Sequence, residues 1–243
     1  MKTTVVAEIG SNWEGNIIKA KKIISKCKKS GADAVKFQMW RADDLYDTKH
    51  PSWKVIKKSE LTFNQASILK KFADKIKIDF FCSAFFPEAV DFLESINVKR
   101  YKIASRTCLL KDPFALETLK KKASTKKPVI ISMGMGGNKK KILEIFSKNN
   151  KTFCYCISEY PLEFEKIDWA VASQYDGFSD HTVGIIAPII FAILKKIKNP
   201  KKTYIEKHVK LKNSRGPDAS TSITTEQLKE LMSQIRKIEK FRF

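Results

Sequence analysis

Thr203-Tyr204-Ile205-Glu206-Lys207-His208 reads as a strand buried on both faces that nevertheless carries an acid and an imidazole. Alternate side chains of a strand share a face, so Tyr204, Glu206 and His208 point one way. Such groups are costly to bury without a task. Upstream, Gly177-Phe178-Ser179-Asp180-His181-Thr182 repeats the arrangement, a short apolar run followed by an acid and an imidazole. The chain has only three histidines. Two of them stand at strand ends beside carboxylates, the usual partners of a metal-bound imidazole. His181 and His208 are therefore expected to meet across the open end of a barrel and hold one divalent metal.

Outward from these two stretches, strand and helix patterns alternate along the whole chain. Strands are expected at 4–9, 34–38, 79–83, 100–104, 129–132, 153–157, 177–179 and 203–208. Helices are expected at 17–29, 63–76 (capped by Thr62), 88–96, 114–122, 138–148, 166–173, 184–195 and 225–240 (capped by Thr224 or Thr225). A long loop with Trp40, Tyr46 and Trp53 follows the second strand. Eight strand–helix units in this length predict a (β/α)8 TIM barrel, with residues 1–243 as a single domain. The runner-up is an open doubly wound sheet. Its glycine-rich first turn is missing, because Gly10-Ser11-Asn12-Trp13-Glu14-Gly15 lacks the dinucleotide spacing.

The bulk numbers agree. With 243 residues and 43% hydrophobic content the chain can bury a full core. No apolar run approaches the about 20 residues of a membrane span, and no signal peptide opens the sequence, so a cytoplasmic protein without membrane association is expected. Five cysteines, an odd number in apolar segments, read as reduced core thiols. Cys154-Tyr155-Cys156 lacks the second pair of a zinc site. Cys156 is read as facing the interior without a paired base. The net charge of +21 is nearly all lysine on expected helices, including Lys120 to Lys122 and Lys195. With no nucleic-acid motif beside it, this excess reads as solvated helix faces rather than a nucleic-acid site, and its field still favours an anionic substrate.

Barrel chemistry sits at the C-terminal ends of the strands. Glu8, Lys36, Gln38, Ser83, Lys102, Ser105, Ser132, Ser158, Glu159, Asp180, His181, Glu206 and His208 are expected there. Two lysines inside apolar strands, with serine hydroxyls, suit a phosphate and a carboxylate together. Two imidazoles among carboxylates suit Mn²⁺, Zn²⁺, Fe²⁺ or Mg²⁺, in falling order of preference.

The order of Ala7-Glu8-Ile9-Gly10, Gly31 to Gln38, Tyr101 to Ser105, Lys127 to Met135, Ser158-Glu159-Tyr160-Pro161, Phe178 to Thr182, Glu206-Lys207-His208 and Gly216-Pro217-Asp218 resembles the barrel domain of the N-acetylneuraminate (sialic acid) synthase family. The likeness covers roughly residues 4 to 240. It implies condensation of phosphoenolpyruvate with the aldehyde of an N-acetylated hexosamine, giving a 2-keto sugar acid and phosphate. It implies Mn²⁺ on His181 and His208, and phosphoenolpyruvate on Lys36, Lys102, Ser105 and Ser132. Glu8 is implied as a general base, and Tyr160, Glu206 and Asp218 as the sugar side. The catalytic set expected is Glu8, Lys36, Lys102 and Asp180. The substrate-binding set is Gln38, Ser83, Ser105, Ser132, Ser158, Tyr160, Ser179, Glu206 and Asp218. Alternatives are a related condensing enzyme with a different aldose, or a binding protein that kept only the barrel. The pattern departs from the family at Trp13, where a histidine is usual. It departs again at Ser83-Ala84-Phe85-Phe86, where Ser-Thr-Pro-Phe is common, and near Thr107, where Arg106 adds a cation. No counterpart of the family's small C-terminal antifreeze-like domain is expected within these residues. A homodimer is one expectation for the assembly.

Overall fold

A computed structural model describes residues 2–198 and 202–241. In chain order the elements are β1 (Thr3–Glu8), α1 (Ile17–Ser30), β2 (Ala34–Met39), α2 (Ala42–Leu45), α3 (Trp53–Lys58), α4 (Phe63–Lys75), β3 (Asp79–Ala84), α5 (Pro87–Ser95), β4 (Tyr101–Ile103), α6 (Ala115–Ser124), β5 (Val129–Ser132), α7 (Lys139–Ile145), β6 (Lys151–Tyr155), α8 (Trp169–Ala172), β7 (Gly177–Asp180), α9 (Ile186–Lys198), β8 (Thr203–Lys210), β9 (Ile223–Thr224) and α10 (Thr225–Lys240). Parallel strands run in the order β3-β2-β1-β8-β7-β6-β5-β4, and β3 and β4 lie side by side where the ring meets. This is the expected (β/α)8 barrel, nearly closed. The pairing of β1 with β8 joins the first and last strands of the chain and rounds the sheet into a ring.

Strands form where β-branched and aromatic residues run together, as in Thr3 to Val6, and every residue of β1 is buried. Helices form where the apolar period is 3.6. Ala20, Ile23, Ile24 and Cys27 of α1 face the sheet, and Asn16 caps its first turn. Thr62 and Thr224 each build a reciprocal capping box with a glutamine three residues on. One apolar cluster runs from Val5 to Ile235. A smaller one, Trp40, Ala42, Leu45, Ile56 and Phe85, sits above the ends of β2 and β3.

Several boundaries differ from the sequence reading. β6 begins at Lys151, two residues early, because its ladder pairs Val129 with Lys151 and Ser132 with Cys154. The Lys151 ammonium is satisfied by the carbonyls of Phe146 and Asn149, so a charged residue starts the strand at no loss. Asp168 caps Val171 and splits the expected 166–173 helix into a 3-10 turn and the short α8. Phe114 takes a left-handed conformation, so α6 begins one residue later. The long loop after β2 contains α2 and α3.

The lysine excess is also not all solvated. Lys122 is fully buried on α6 and donates to the carbonyls of Ala84 at 2.7 Å and Lys102 at 3.4 Å. Lys195 is buried on α9. Among the described residues no helix is long and apolar enough to cross a membrane.

Burial pulls the Lys122 amine down from 10.5 to about 7. Between those values the unfolded chain binds the extra proton, so this residue makes stability rise with pH. Below about 7 both states are protonated and the cost of the buried charge is complete. Lys122→Met should therefore flatten the rise in melting temperature between pH 7 and 10 relative to the parent protein. Parallel melting curves for the two proteins across that range would contradict a buried, depressed amine.

Candidate active site

Period two decides what the strands offer. Glu8 pairs across β1 with Lys36 of β2 and with His208 of β8, and Ser179 of β7 pairs with Glu206. Side chains on one face of these strands therefore collect inside the barrel at its C-terminal end. A cavity of about 400 Å³ opens there. Lys36, Gln38, Ser83, Lys102, Ser105, Ser132, Ser158, Tyr160, Ser179, His181, Glu206, His208 and Asp218 all line it.

The floor is a charge network. Glu206 accepts from Lys102 at 2.9 Å, Lys36 at 3.2 Å, Ser179 at 3.2 Å and the Tyr204 hydroxyl at 2.6 Å. Lys102 also donates to Ser132 at 2.9 Å, and Lys36 to Ser83 at 3.3 Å. Glu8 lies beside Lys36 at 3.0 Å and accepts from Gln38 at 2.7 Å. Burial works against the Glu206 carboxylate, but Lys102 and Lys36 overcome it and hold the group well below the usual range. Burial works against the Lys102 ammonium too, and Glu206 more than compensates, raising it. Glu8 is different. Burial drives it up to about 7, with Lys36 opposing and Glu206 reinforcing the rise.

The imidazoles stand at the rim. Their ring centroids are 5.7 Å apart, and the Tyr160 ring lies 4.1 Å from that of His181. His181 Nδ1 is 2.7 Å from the Ile157 carbonyl, which can only accept, so the other ring nitrogen is left to bind. His208 Nδ1 is buried without a partner. Burial, His181 and Lys36 push His208 down to about 4, although Asp218 and Glu206 oppose, so its ring is neutral at pH 7. A neutral imidazole with an orphaned buried nitrogen, beside one oriented by a carbonyl, fits a divalent cation. Among the described residues no group of three or more His, Cys, Asp or Glu side chains is placed to hold a metal ion, so the two imidazoles are the donors offered here.

Three features differ from the sequence reading. Asp180 does not line the cavity. Ser179 faces inward, so period two turns Asp180 outward, where it pairs with Lys207 at 2.6 Å and accepts the Thr182 amide at 2.8 Å. Lys207 also donates to the Thr182 carbonyl, and this fully buried knot fixes the turn that carries His181. Glu206, expected on the sugar side, sits between the two lysines. Cys156, read as lacking a base, lines the cavity with His181 and lies 3.6 Å from the Ser105 hydroxyl. Burial raises its thiol, but His181 and Lys102 outweigh that and bring it down to about 7.

Trp13 is buried against Phe37 and contributes nothing to the cavity. Glu159 turns away to Lys166. Asp218 is held by the Ser11 amide at 2.7 Å and hydroxyl at 2.6 Å. A Cβ on Gly10, whose φ is +50°, would lie 2.4 Å from the Asp218 carboxylate, so this turn needs glycine. Sequence reasoning missed Trp40, Phe85, Tyr46 and Arg106 as lining residues. Trp40 and Tyr46 were marked only by the aromatic-rich loop after the second strand, and Phe85 and Arg106 only as departures from the family pattern after the third and fourth.

A ring of strands with its polar groups gathered at the C-terminal end is the architecture of a (β/α)8 enzyme with a small-molecule pocket. The chain matches the NeuB family model over residues 23–242. It is 34% identical to N,N'-diacetyllegionaminic acid synthase of Campylobacter jejuni, over 98% of this chain and 77% of that one. It is 30% identical to human N-acetylneuraminate-9-phosphate synthase, over 97% and 70%. The solved N-acetylneuraminic acid (sialic acid) synthetase of Leptospira borgpetersenii, crystallised with citrate, superposes with a TM-score of 0.86 at 24% identity, covering 99% of this chain and 85% of that one. The chain belongs to the NeuB family.

Asp180→Ala should leave Lys207 charged, buried and unpaired, costing about 3–5 kcal/mol in urea unfolding. Replacing both partners with Asp180→Leu and Lys207→Met should restore most of that loss. Equal losses in the single and double variants would show that the pair is not the source of the cost.

Proposed function

We propose that the protein condenses phosphoenolpyruvate with the aldehyde of an N-acetylated hexosamine resembling N-acetylmannosamine. Carbon 3 of phosphoenolpyruvate bonds to the aldehyde carbon, whose oxygen takes a proton. Water adds at carbon 2, phosphate leaves from the same carbon, and a 2-keto sugar acid remains. The observation that carries this reading is the convergence of Lys36, Lys102, Ser83 and Ser132 on one floor, 400 Å³ of open cavity above them and an imidazole pair at the rim.

The lysines and serines bind the anion. Both lysines already face carboxylates, so an incoming phosphate and carboxylate add negative charge to a nearly balanced floor. Glu8 relieves this, because a carboxyl near its neutralisation point at pH 7 takes up a proton more easily than Glu206 does. The same property fits Glu8 to move a proton in the reaction, at Oε2, which lies beside Lys36 and has no hydrogen-bond partner. Gln38 orients Glu8 through Oε1. Tyr160 and Asp218 stand where the sugar chain would lie, and Ser105 and Ser158 complete the lining. His181 and His208 would hold a divalent cation, Mn²⁺ by preference, which supplies Lewis-acid polarisation of the aldehyde. A cytoplasmic setting, where phosphoenolpyruvate is made, accords with this reading.

The test is phosphate release from phosphoenolpyruvate with N-acetylmannosamine and Mn²⁺. Release should require all three and stop on chelation. Glu8→Gln should lower kcat by about 10²–10⁴-fold, the usual span for a general acid–base group. Lys102→Met should raise the KM for phosphoenolpyruvate. Full turnover by His208→Ala would sink the metal assignment, and binding of phosphoenolpyruvate without turnover of any aldose would sink the reaction.

A further inference from the structure

The opposite end of the barrel is not closed by apolar side chains. Counting back by twos from the inward groups of the catalytic floor reaches Thr4 on β1, Ile130 on β5, Thr152 on β6 and Tyr204 on β8, with Arg100 just ahead of β4. All five line a second cavity of about 400 Å³ at the N-terminal ends of the strands. That face of a barrel ordinarily serves stability, and bulky branched side chains fill the interior. Here the layer holds two hydroxyls and a guanidinium instead. Thr4 and Thr152 make no side-chain hydrogen bond among the described residues, so both hydroxyls are left to serve a ligand.

The charges around this layer are nearly all of one sign. Lys99, Arg100, Lys151 and Lys202 line the cavity, and Asp176 is the one carboxylate described there. Arg100 meets Asp79 through a single terminal nitrogen at 2.8 Å. Lys151 meets the carbonyls of Phe146 and Asn149 at 2.9 and 2.8 Å, which satisfy its hydrogens without cancelling its charge. Lys99 and Lys202 form no ion pair among the described residues. Like charges around a concave, low-dielectric surface focus a positive potential, and an anion placed there relieves their repulsion. A solvated coat of lysines accounts for Lys99 and Lys202 alone, but not for interior hydroxyls and a guanidinium beneath them.

We infer that this cavity binds a small molecule carrying a diphosphate group. Two uncommitted ammonium groups, a guanidinium with one carboxylate partner and two hydroxyls match several negative oxygens better than a single carboxylate. Pro128, Val129 and Ile130 form an apolar stretch of the wall, where an organic group joined to the diphosphate would lie. The site is separate from the catalytic one. Tyr204 lines the lower cavity, and its hydroxyl donates at 2.6 Å to Glu206, which lines the upper. The inference therefore does not depend on the condensation reading.

The probes are inorganic pyrophosphate and uridine diphosphate, titrated calorimetrically into the full chain at about 0.15 M salt, where long-range steering is screened. Phosphoenolpyruvate is present in fixed excess to occupy the catalytic floor. The parent protein should bind at least one probe and melt at a higher temperature in its presence. Tighter pyrophosphate would identify a free diphosphate as the ligand, and tighter uridine diphosphate an esterified one that uses the apolar wall. Lys99→Ser with Lys202→Ser should weaken binding about tenfold or more and abolish the melting shift. Lys71→Ser with Lys140→Ser removes the same charge from exposed positions elsewhere and should leave both intact. No binding of either probe by the parent protein overturns the inference. So does full affinity in the Lys99 and Lys202 double variant, or an equal loss in the two double variants, which would trace binding to net charge alone.

Discussion

The Glu206 carboxylate is the contact on which the interior depends. Two ammonium groups sit almost fully buried inside a barrel. Each would be costly there alone. One carboxylate answers both, and the Ser179 and Tyr204 hydroxyls fill its remaining acceptor positions. Because the donors come from β2, β4, β7 and β8, the network also ties opposite sides of the ring together. The floor is held by a shared charge rather than by apolar packing. That leaves its hydroxyls and ammonium groups turned toward an open space instead of being covered.

The second carboxylate behaves differently for a simple reason of position. Glu206 touches two cations, whereas Glu8 touches one and feels Glu206 as a neighbouring negative charge. Similar burial therefore yields opposite results, one acid firmly ionised and the other poised near neutrality. Carboxylates whose surroundings push them apart divide naturally into a structural and a proton-handling role. This division cannot be read from composition, because both residues are glutamates in apolar strands.

What the sequence made legible follows from periods and what it hid follows from partners. Eight strand–helix repeats gave the barrel, and alternation in Tyr204-Ile205-Glu206-Lys207-His208 placed the inward set. The same rule, applied one residue further back, would have turned Asp180 outward. The pairing of acid with imidazole in Asp180-His181 masked it. Nothing in the chain near residue 206 announces that Lys36 and Lys102 converge on it, since that contact exists only after β1 and β8 pair. The two-residue shift of β6 is of the same kind. Phe153 to Ile157 is the more apolar window, but register with β5 and the carbonyls that receive Lys151 decide the start. Trp40, Phe85 and Arg106 escaped because a loop's side chains have no period, and their place depends on how α2 and α3 fold back over the strand ends.

A last consequence concerns the lysines that face away from the cavity. Lys122, Lys207 and Lys210 each donate to backbone carbonyls: Lys122 to Ala84 at the end of β3 and Lys102 within β4, Lys207 to Thr182 after β7, and Lys210 to Ala219 in the turn after β8 at 2.5 Å. A long flexible amine can reach such carbonyls while its stem stays among apolar side chains. The turn carrying His181 is thus fixed by Lys207 and the stretch around Asp218 by Lys210, while Lys122 links the end of β3 to β4. Part of the composition that looked like a solvated coat is therefore a set of supports one layer behind the site. The price is buried charge, most acute at Lys122, where no carboxylate offsets it. A barrel can carry that cost because each such lysine holds two strands or loops in place, and the cavity keeps its shape without a single disulfide among the described residues.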